Sequence, residues 1–448
     1  MALIIEGGLD LPIPRMIPVR QKFSEALISD IQGEIEGLFR HDGKMKRILA
    51  KSRIAVAVGS RGIHAIDRIT LAVVGEMKRL GASPFIVPSM GSHGGATAEG
   101  QRKVLAGFGI TEETMGVPVV SSMETVQVGE LDDGTPVFLD KEALCSDGIV
   151  VINRIKPHTA FVGDYESGLL KMVAIGLGKH RGATVFHSCG MDRFGELLPQ
   201  LGRVVLAKAP ILFGLAVIEN AYDRPARFEI VWNEDMIGRE KSLLAEARAL
   251  MPRVIPGCLD VLIVHEIGKE ISGAGLDPNI TGRSGSPYFK RENSLKLQRI
   301  VVLNLSKATK GNATGIGLAD VTTDKVVKAM NPETTWINCI TSGVMASAKL
   351  PIHMPTDREA IVLALKTCAR VNHPQSRIVW IRNTLALQHI RVSEALLAEI
   401  EGNPQTEIIG KPEPMPFDEQ GNLLYGEKGI GTRVSGLGKE TDFVLEIS

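Results

Sequence analysis

Short aliphatic and β-branched runs alternate with amphipathic stretches through most of the chain, the pattern of strand-helix-strand units around a largely parallel sheet. "RIAVAVGS" (Arg53 to Ser60) reads as the first clear strand and "DRITLAVVGEMKRLG" as the helix after it. "SPFIVPSM", a helix near "TAEGQRKVLAGFG", and the strands "DGIVVINRI" and "PILFGLAVIEN" continue the alternation. The charged amphipathic stretch "GREKSLLAEARALM" then runs into Pro252 and Pro256, and a new strand, "LDVLIVHEIG", begins just beyond. Prolines between a helix and a fresh strand mark a boundary. The second region continues with "RIVVLNLS", helices at "TTDKVVKAMN" and "DREAIVLALKTCARVN", and the strand "SRIVWIRN". From about Leu385 the pattern weakens to a short helix, "VSEALLAEI", and a tail rich in proline and glycine. The expected fold class is therefore α/β: two α/β domains with mostly parallel sheets, over residues 1–255 and 256–385, and a C-terminal extension over 386–448.

In parallel sheets the ligand crevice lies beyond the carboxyl ends of the strands, where the connecting loops converge. Four such loops carry polar residues: Ser60-Arg61-Gly62 after the first strand, "GSHGGAT" after the second, "KPHT" after the third, and "GKEISGAGLDPNITGR" in the second domain. An active site is expected in the cleft between the two domains, with these loops facing it.

Composition narrows the function. Lys+Arg and Asp+Glu both total 51 and aromatics are 4%, which argues against a nucleic-acid surface or a base-stacking platform. The 44% hydrophobic content suffices for a full core, but no uncharged run approaches the roughly 18 residues of a membrane span. Five cysteines, odd in number and never in a C-x-x-C, fit reduced thiols in the cytosol. The start "MALIIEGGLDLPIPRM" lacks the basic segment of a signal peptide, so a soluble cytoplasmic protein is expected.

Several tempting motifs fail on spacing: "GLGKH" is not a P-loop, "GNATGIG" is not a dinucleotide turn, and "HEIGK" lacks the second histidine of a zinc protease. His93, flanked by glycines in "MGSHGGAT", and His158, stiffened by the proline of "IKPHTAF", suit general acid-base work near pH 7. Each equally suits an ordinary loop histidine. Lys171 lies in "ESGLLKMVAIG", apolar on every helical face, where desolvation and the helix dipole favour a neutral, nucleophilic amine. The alternative is a lysine that snorkels to the surface or pairs with Glu166. Sixteen residues separate Lys171 from His187, about 24 Å along one straight helix. Gly176, Gly178 and Gly182 permit a chain reversal that brings both to one ligand. In the second domain Lys269, Glu270, Asp277, Asn279 and Arg283 line a long polar loop that serves either as a connection or as a set of donors for an anion. Arg61 is placed to grip a carboxylate or phosphate in bidentate fashion, or to form a surface ion pair.

The order of the Arg61 loop, His93, His158, Lys171 and His187, with the 16-residue step between the last two, resembles the nickel-dependent lactate racemase family. The resemblance covers Ile54 to His187 well and the Asp277-Pro278-Asn279 loop more weakly. It implies an isomerase, a 2-hydroxy acid racemase or epimerase, using nickel in a nickel-pincer nucleotide held covalently by Lys171. It makes His187 the nickel ligand, and His93 and His158 the two acid-base residues. Ser60, Arg61, Asp277 and Asn279 would contact the cofactor, and Arg61, His64 and Arg283 the substrate. Cofactor-maturation proteins are the implied partners, beside the small hydroxy-acid substrate. Two features depart from the family pattern. The run "TAFVGDYESGLL" after His158 is longer, and "SRGIH" replaces an Asp-His-Thr-Arg type of loop, so either Arg61 or His64 could clamp the substrate carboxylate.

Overall fold

The structure is a computed structural model that describes residues 8–60, 62–292 and 294–425. Ser24–Met251 form one compact unit; the described residues up to Phe23 and from Pro252 onward form the other. The first strand, Met16–Gln21 (β1), belongs to the second of these.

In the Ser24–Met251 unit, Arg53–Val58 (β2), Ser83–Pro88 (β3), Gly148–Arg154 (β6), Ile211–Glu219 (β7) and Pro225–Trp232 (β8) make a sheet of order β3-β2-β6-β7-β8. All its pairings are parallel except β7 with β8. Thr125–Glu130 (β4) and Pro136–Asp140 (β5) form a separate antiparallel hairpin. The solid apolar runs of the sequence have a direct cause, because both faces of this sheet are covered. Ile54, Val56, Val58, Val150, Ile152 and Leu215 pack on one side, with helices Ile31–His41 and Ile66–Arg79. Ala55, Ala57, Ile149, Val151 and Ala216 pack on the other, with Leu169, Leu170 and helices Phe194–Lys208 and Met236–Leu250. From β2 the chain steps outward to β3, then returns to β6 on the opposite side of β2. Strand order thus reverses between β2 and β6, and the loops after these two strands flank the crevice that such a reversal opens.

The second unit holds an eight-stranded sheet. Its strands are β1, Cys258–Ile267 (β9), Lys296–Leu305 (β10), Val321–Thr323 (β11), Ile352–Met354 (β12), Ile378–Ile381 (β13), His389–Ser393 (β14) and Thr406–Ile408 (β15), in the order β12-β11-β10-β9-β13-β14-β1-β15. The half from β12 to β13 is parallel and the remainder antiparallel. This corrects the expected boundaries of 1–255, 256–385 and 386–448. The first residues belong with the second unit because β1 pairs with β14 and β15. Residues beyond 385 supply two strands of that sheet. Pro18 hides β1 from a reading by pattern, since proline inside a run argues against a strand. It is accommodated because it needs only to accept, its carbonyl taking the Ile409 N–H at 2.8 to 3.0 Å spacing typical of the sheet, here 3.0 Å. No helix among the described residues is long and apolar enough to cross a membrane.

Candidate active site

The loops after β2, β3 and β6 converge on the turn that carries Lys171. A Cβ on Gly59, at the end of β2, would lie 3.3 Å from the Met172 side chain. Asn153, near the end of β6, donates from Nδ2 to the carbonyl of Gly168 at 2.7 Å. The loop after β3 joins through the Gly91 N–H, which donates to the Gly176 carbonyl at 3.2 Å. Ser60 Oγ is hydrogen-bonded to His93 Nδ1, linking the β2 and β3 loops directly. Arg61 lies outside the described residues. His93 itself is exposed, and its loop turns on Gly94, whose φ of +67° and 2.6 Å approach to the Gln101 backbone leave no room for a side chain.

His158 follows β6 on a loop whose ends are tied by reciprocal Lys156–Ser167 backbone bonds of 2.8 and 3.2 Å. The longer "TAFVGDYESGLL" segment is therefore taken up inside a closed loop. Glu166, buried within it, accepts the N–H groups of His158 and Gly163 and pairs with Arg248 at 2.5 Å. The Ala160 N–H donates to His158 Nδ1 at 3.1 Å, so the neutral ring carries its proton on Nε2.

The Lys171 segment corrects two expectations. The chain forms one helical turn at Leu169–Lys171 and then a π-helical turn at Met172–Gly176, a form often found at functional positions. It changes course at Lys179, whose φ is +53°, before the helix Lys179–Ser188. Gly176, Gly178 and Gly182 do not supply the reversal, since none has a positive φ. Gly176 is needed for close approach, a Cβ there lying 2.5 Å from Ser89 Oγ. The cation fully buried in this stretch is Lys179, at 0% exposure beside Asp140, whereas Lys171 is half-buried. "GLGKH" had drawn attention only as a failed P-loop, and its partner acid lies on β5, beyond the reach of any local pattern.

The Lys171 charge is felt at His187. Burial lowers the His187 pKa from its ordinary 6.5, and the Lys171 charge lowers it further. His187 also keeps surface open to solvent, so the desolvation comes from the protein packed on its remaining sides. An imidazole held neutral is in the state that binds metal. The His187 ring stands 5.4 Å from Phe194, Phe194 is 5.7 Å from Phe161, and Phe161 is 4.5 Å from His158. One aromatic wall thus runs between the two histidines.

His64 is less suited to a carboxylate than expected. Its Nε2 lies 2.6 Å from the Arg224 guanidinium, and burial followed by the Arg224 charge lowers its pKa. A neutral acceptor does not clamp an anion. The cations at these strand ends are Arg224 and Arg154, the latter paired with Glu219, which also accepts the His64 N–H at 2.7 Å. Neither arginine stood out in the sequence, because each sits in an ordinary strand-end context. In the second unit, Asp277 caps the turn Pro278–Thr281 by accepting the Asn279 N–H at 2.8 Å, and the Asn279 side chain donates to it at 3.1 Å. Arg283 is committed to Asp320 at 2.5 Å and to the carbonyls of Leu318 and Gln298. That explains its place in the loop without a ligand.

Residues 40–194 match the family model described as the lactate racemase N-terminal domain. This segment of the chain is similar to that domain. The matched segment holds Ser60, His64, His93, His158, Lys171 and His187. Among solved structures, the lactate racemase apoprotein from Thermoanaerobacterium thermosaccharolyticum is similar, with 14% identity, a TM-score of 0.49, and coverage of 82% of this chain and 93% of that one. No curated protein sequence matches.

Proposed function

We propose that the protein is a racemase or epimerase of a 2-hydroxy acid, lactate or a larger relative, that works with a nickel-pincer nucleotide tethered at Lys171. The observation that carries this reading is the approach of Lys171 to His187, felt as a charge effect on the imidazole, within a lactate racemase domain. The donor set fits the group. No cluster of three or more His, Cys, Asp or Glu suited to a metal forms among the described residues, so a metal at His187 needs its other ligands from a bound molecule. A pincer nucleotide brings them. The same observation weighs against a zinc hydrolase built on His93, His158 and His187 together.

When bound, the nucleotide supplies a reversible hydride acceptor for the substrate C2–H. The chain supplies the rest. Inversion requires a proton carrier for each hand of the substrate, the roles of His93 and His158. The Ala160 N–H at His158 Nδ1 leaves Nε2 as the nitrogen that exchanges a proton with the substrate oxygen, taking it as imidazole for one hand and giving it back as imidazolium for the other, and His93, joined to Ser60, does the reverse from the opposite face. Phe161 and Phe194 give the space between His158 and His187 an apolar side. Arg224 is a described cation suited to orient the substrate carboxylate, since Arg154 is committed to Glu219.

Protein made in a host able to build the cofactor is expected to carry a mass adduct that Lys171→Ala abolishes, and to convert one enantiomer of a 2-hydroxy acid into the other on chiral chromatography. Full activity with an unmodified mass overturns the reading. An adduct without turnover across a panel of hydroxy acids points to a cofactor carrier.

A further inference from the structure

We propose that Lys179 is a positioning residue for His93, acting through the side chain of Gln101; the catalytic meaning of this rests on the function proposed above. Lys179 occupies a left-handed backbone position at φ +53° where glycine is the usual choice. A lysine in such a place implies that its side chain is needed. The side chain is wholly buried; its ammonium forms an ion pair with Asp140 Oδ2 at 2.9 Å and donates to the carbonyl of Pro88 and to Gln101 Oε1 at 3.2 Å. Gln101 is likewise at 0% exposure.

The ammonium fixes which way the Gln101 amide faces. A cation with no acceptor capacity accepts only the oxygen as its neighbour, so the amide nitrogen must point the other way. There Nε2 donates to the carbonyl of Gly91 at 2.9 Å and to that of His93 at 3.3 Å. One buried charge therefore holds the end of β3, the His93 loop and the start of the helix that ends at His187. Asp140 completes the tie, its own N–H donating to the Leu177 carbonyl at 2.7 Å, just ahead of the turn. The His93 imidazole is thereby set relative to Lys171 and His187 by a group that touches none of the reacting atoms.

The test compares the native chain with Lys179→Met and Gln101→Met, all without cofactor. Gln101→Met keeps the Lys179–Asp140 pair and removes only the link to the loop, so it remains informative if Lys179→Met does not fold. Amide hydrogen exchange over residues 91–97 is expected to speed at least about fivefold in Gln101→Met, with residues 180–188 within about twofold of native. Ring resonances of His93, assigned with His93→Gln, are expected to shift, while those of His41 and His353 stay in place. A native exchange pattern in the loop together with an unmoved His93 ring in folded Gln101→Met overturns the proposal. In enzyme carrying the cofactor, Gln101→Met lowers kcat and leaves KM near native. Faster loop exchange and a shifted ring in a protein that turns over no hydroxy acid would uphold the positioning and refute the function.

Discussion

Glu240 gives a quantitative test of how the Lys171 turn is held. It lies on helix Met236–Leu250, is 1% exposed, and accepts the Leu170 N–H at 2.8 Å, while its Oε1 has no hydrogen-bond partner. Burial pushes its pKa up from 4.5 to about 7, against the opposing pull of the Leu170 and Leu169 backbone N–H groups. A pKa raised on folding means that the folded chain binds the proton more tightly than the unfolded chain. The contribution to stability is complete below about pH 4.5 and is lost as pH rises through about 7. At 1.36 kcal/mol for each unit, the interval from 4.5 to about 7 amounts to about 3 kcal/mol. Glu240→Gln keeps the shape and an acceptor for Leu170 but does not ionise. The variant should match the native protein near pH 4.5 and exceed it by about 3 kcal/mol at pH 8. Urea unfolding followed by circular dichroism at a series of pH values reads this difference. A variant-minus-native difference that changes by less than about 1 kcal/mol over the range would refute the assignment of a neutral carboxyl beneath Lys171.

Lys171→Ala in the cofactor-free chain removes the second cause of the depressed His187 pKa and leaves burial in place, so an NMR titration should show a rise that stops short of the ordinary value; no rise would show that the two residues do not share a site. On the proposed function an imidazole binds metal only when neutral, so nickel retention by the loaded protein should be lost with acid below the ordinary 6.5 of an imidazole, not at it. Lys179→Met strands the buried Asp140 carboxylate and should destabilise the chain by about 3–5 kcal/mol, and adding Asp140→Leu should recover part of that loss. A double variant no more stable than the single one, in thermal melts, would contradict the pairing. Gly176→Ala puts a methyl 3.0 Å from the Ser89 carbonyl oxygen, which cannot rotate away, and should cost about 1–3 kcal/mol in the same assay.

β2, β3, β6 and β7 of the Ser24–Met251 unit were legible because a sheet buried on both faces writes itself as unbroken apolar runs, whereas the β4–β5 hairpin and β8 were not read. "RIAVAV" and "GIVVIN" need no tertiary information to be read. β1 and β15 were not legible, for the opposite reason. "MIPVRQ" contains a proline and "TEI" is three residues long, and each becomes a strand only when distant parts of the chain align beside it. The domain boundaries failed with them, since a pattern along the chain does not reveal that its beginning completes a sheet built from its end. The site divides in the same way. His93, His158, Lys171 and His187 stood out because loop glycines, a strand-ending proline and a charge in an apolar run are local signals. Arg154, Arg224 and Glu240 carry no such mark.

The two lysines of "LLKMVAIGLGK" show where local reasoning stops. An apolar stretch sets a strong demand that any buried cation be paired. It does not say which cation is buried, because the counter-ion comes from elsewhere. Asp140, on a hairpin outside the main sheet, meets Lys179, so that residue goes fully inside with its charge balanced. Lys171 has the equally apolar neighbours Leu169, Leu170 and Met172, yet keeps part of its surface open. The expectation that a lone cation in hydrocarbon is the buried one thus selects the wrong residue, while Lys171 is the one whose charge reaches His187. A lysine locked in a buried ion pair is poorly placed to form a covalent link, since attack would require breaking the pair. On the proposed function, a half-buried lysine whose charge reaches the His187 imidazole offers both access and a neighbour that suits a bound metal. The division of labour between the two follows from where the acid lies: Lys179 is fixed so that the framework is rigid, and Lys171 is left reachable at the centre of that framework.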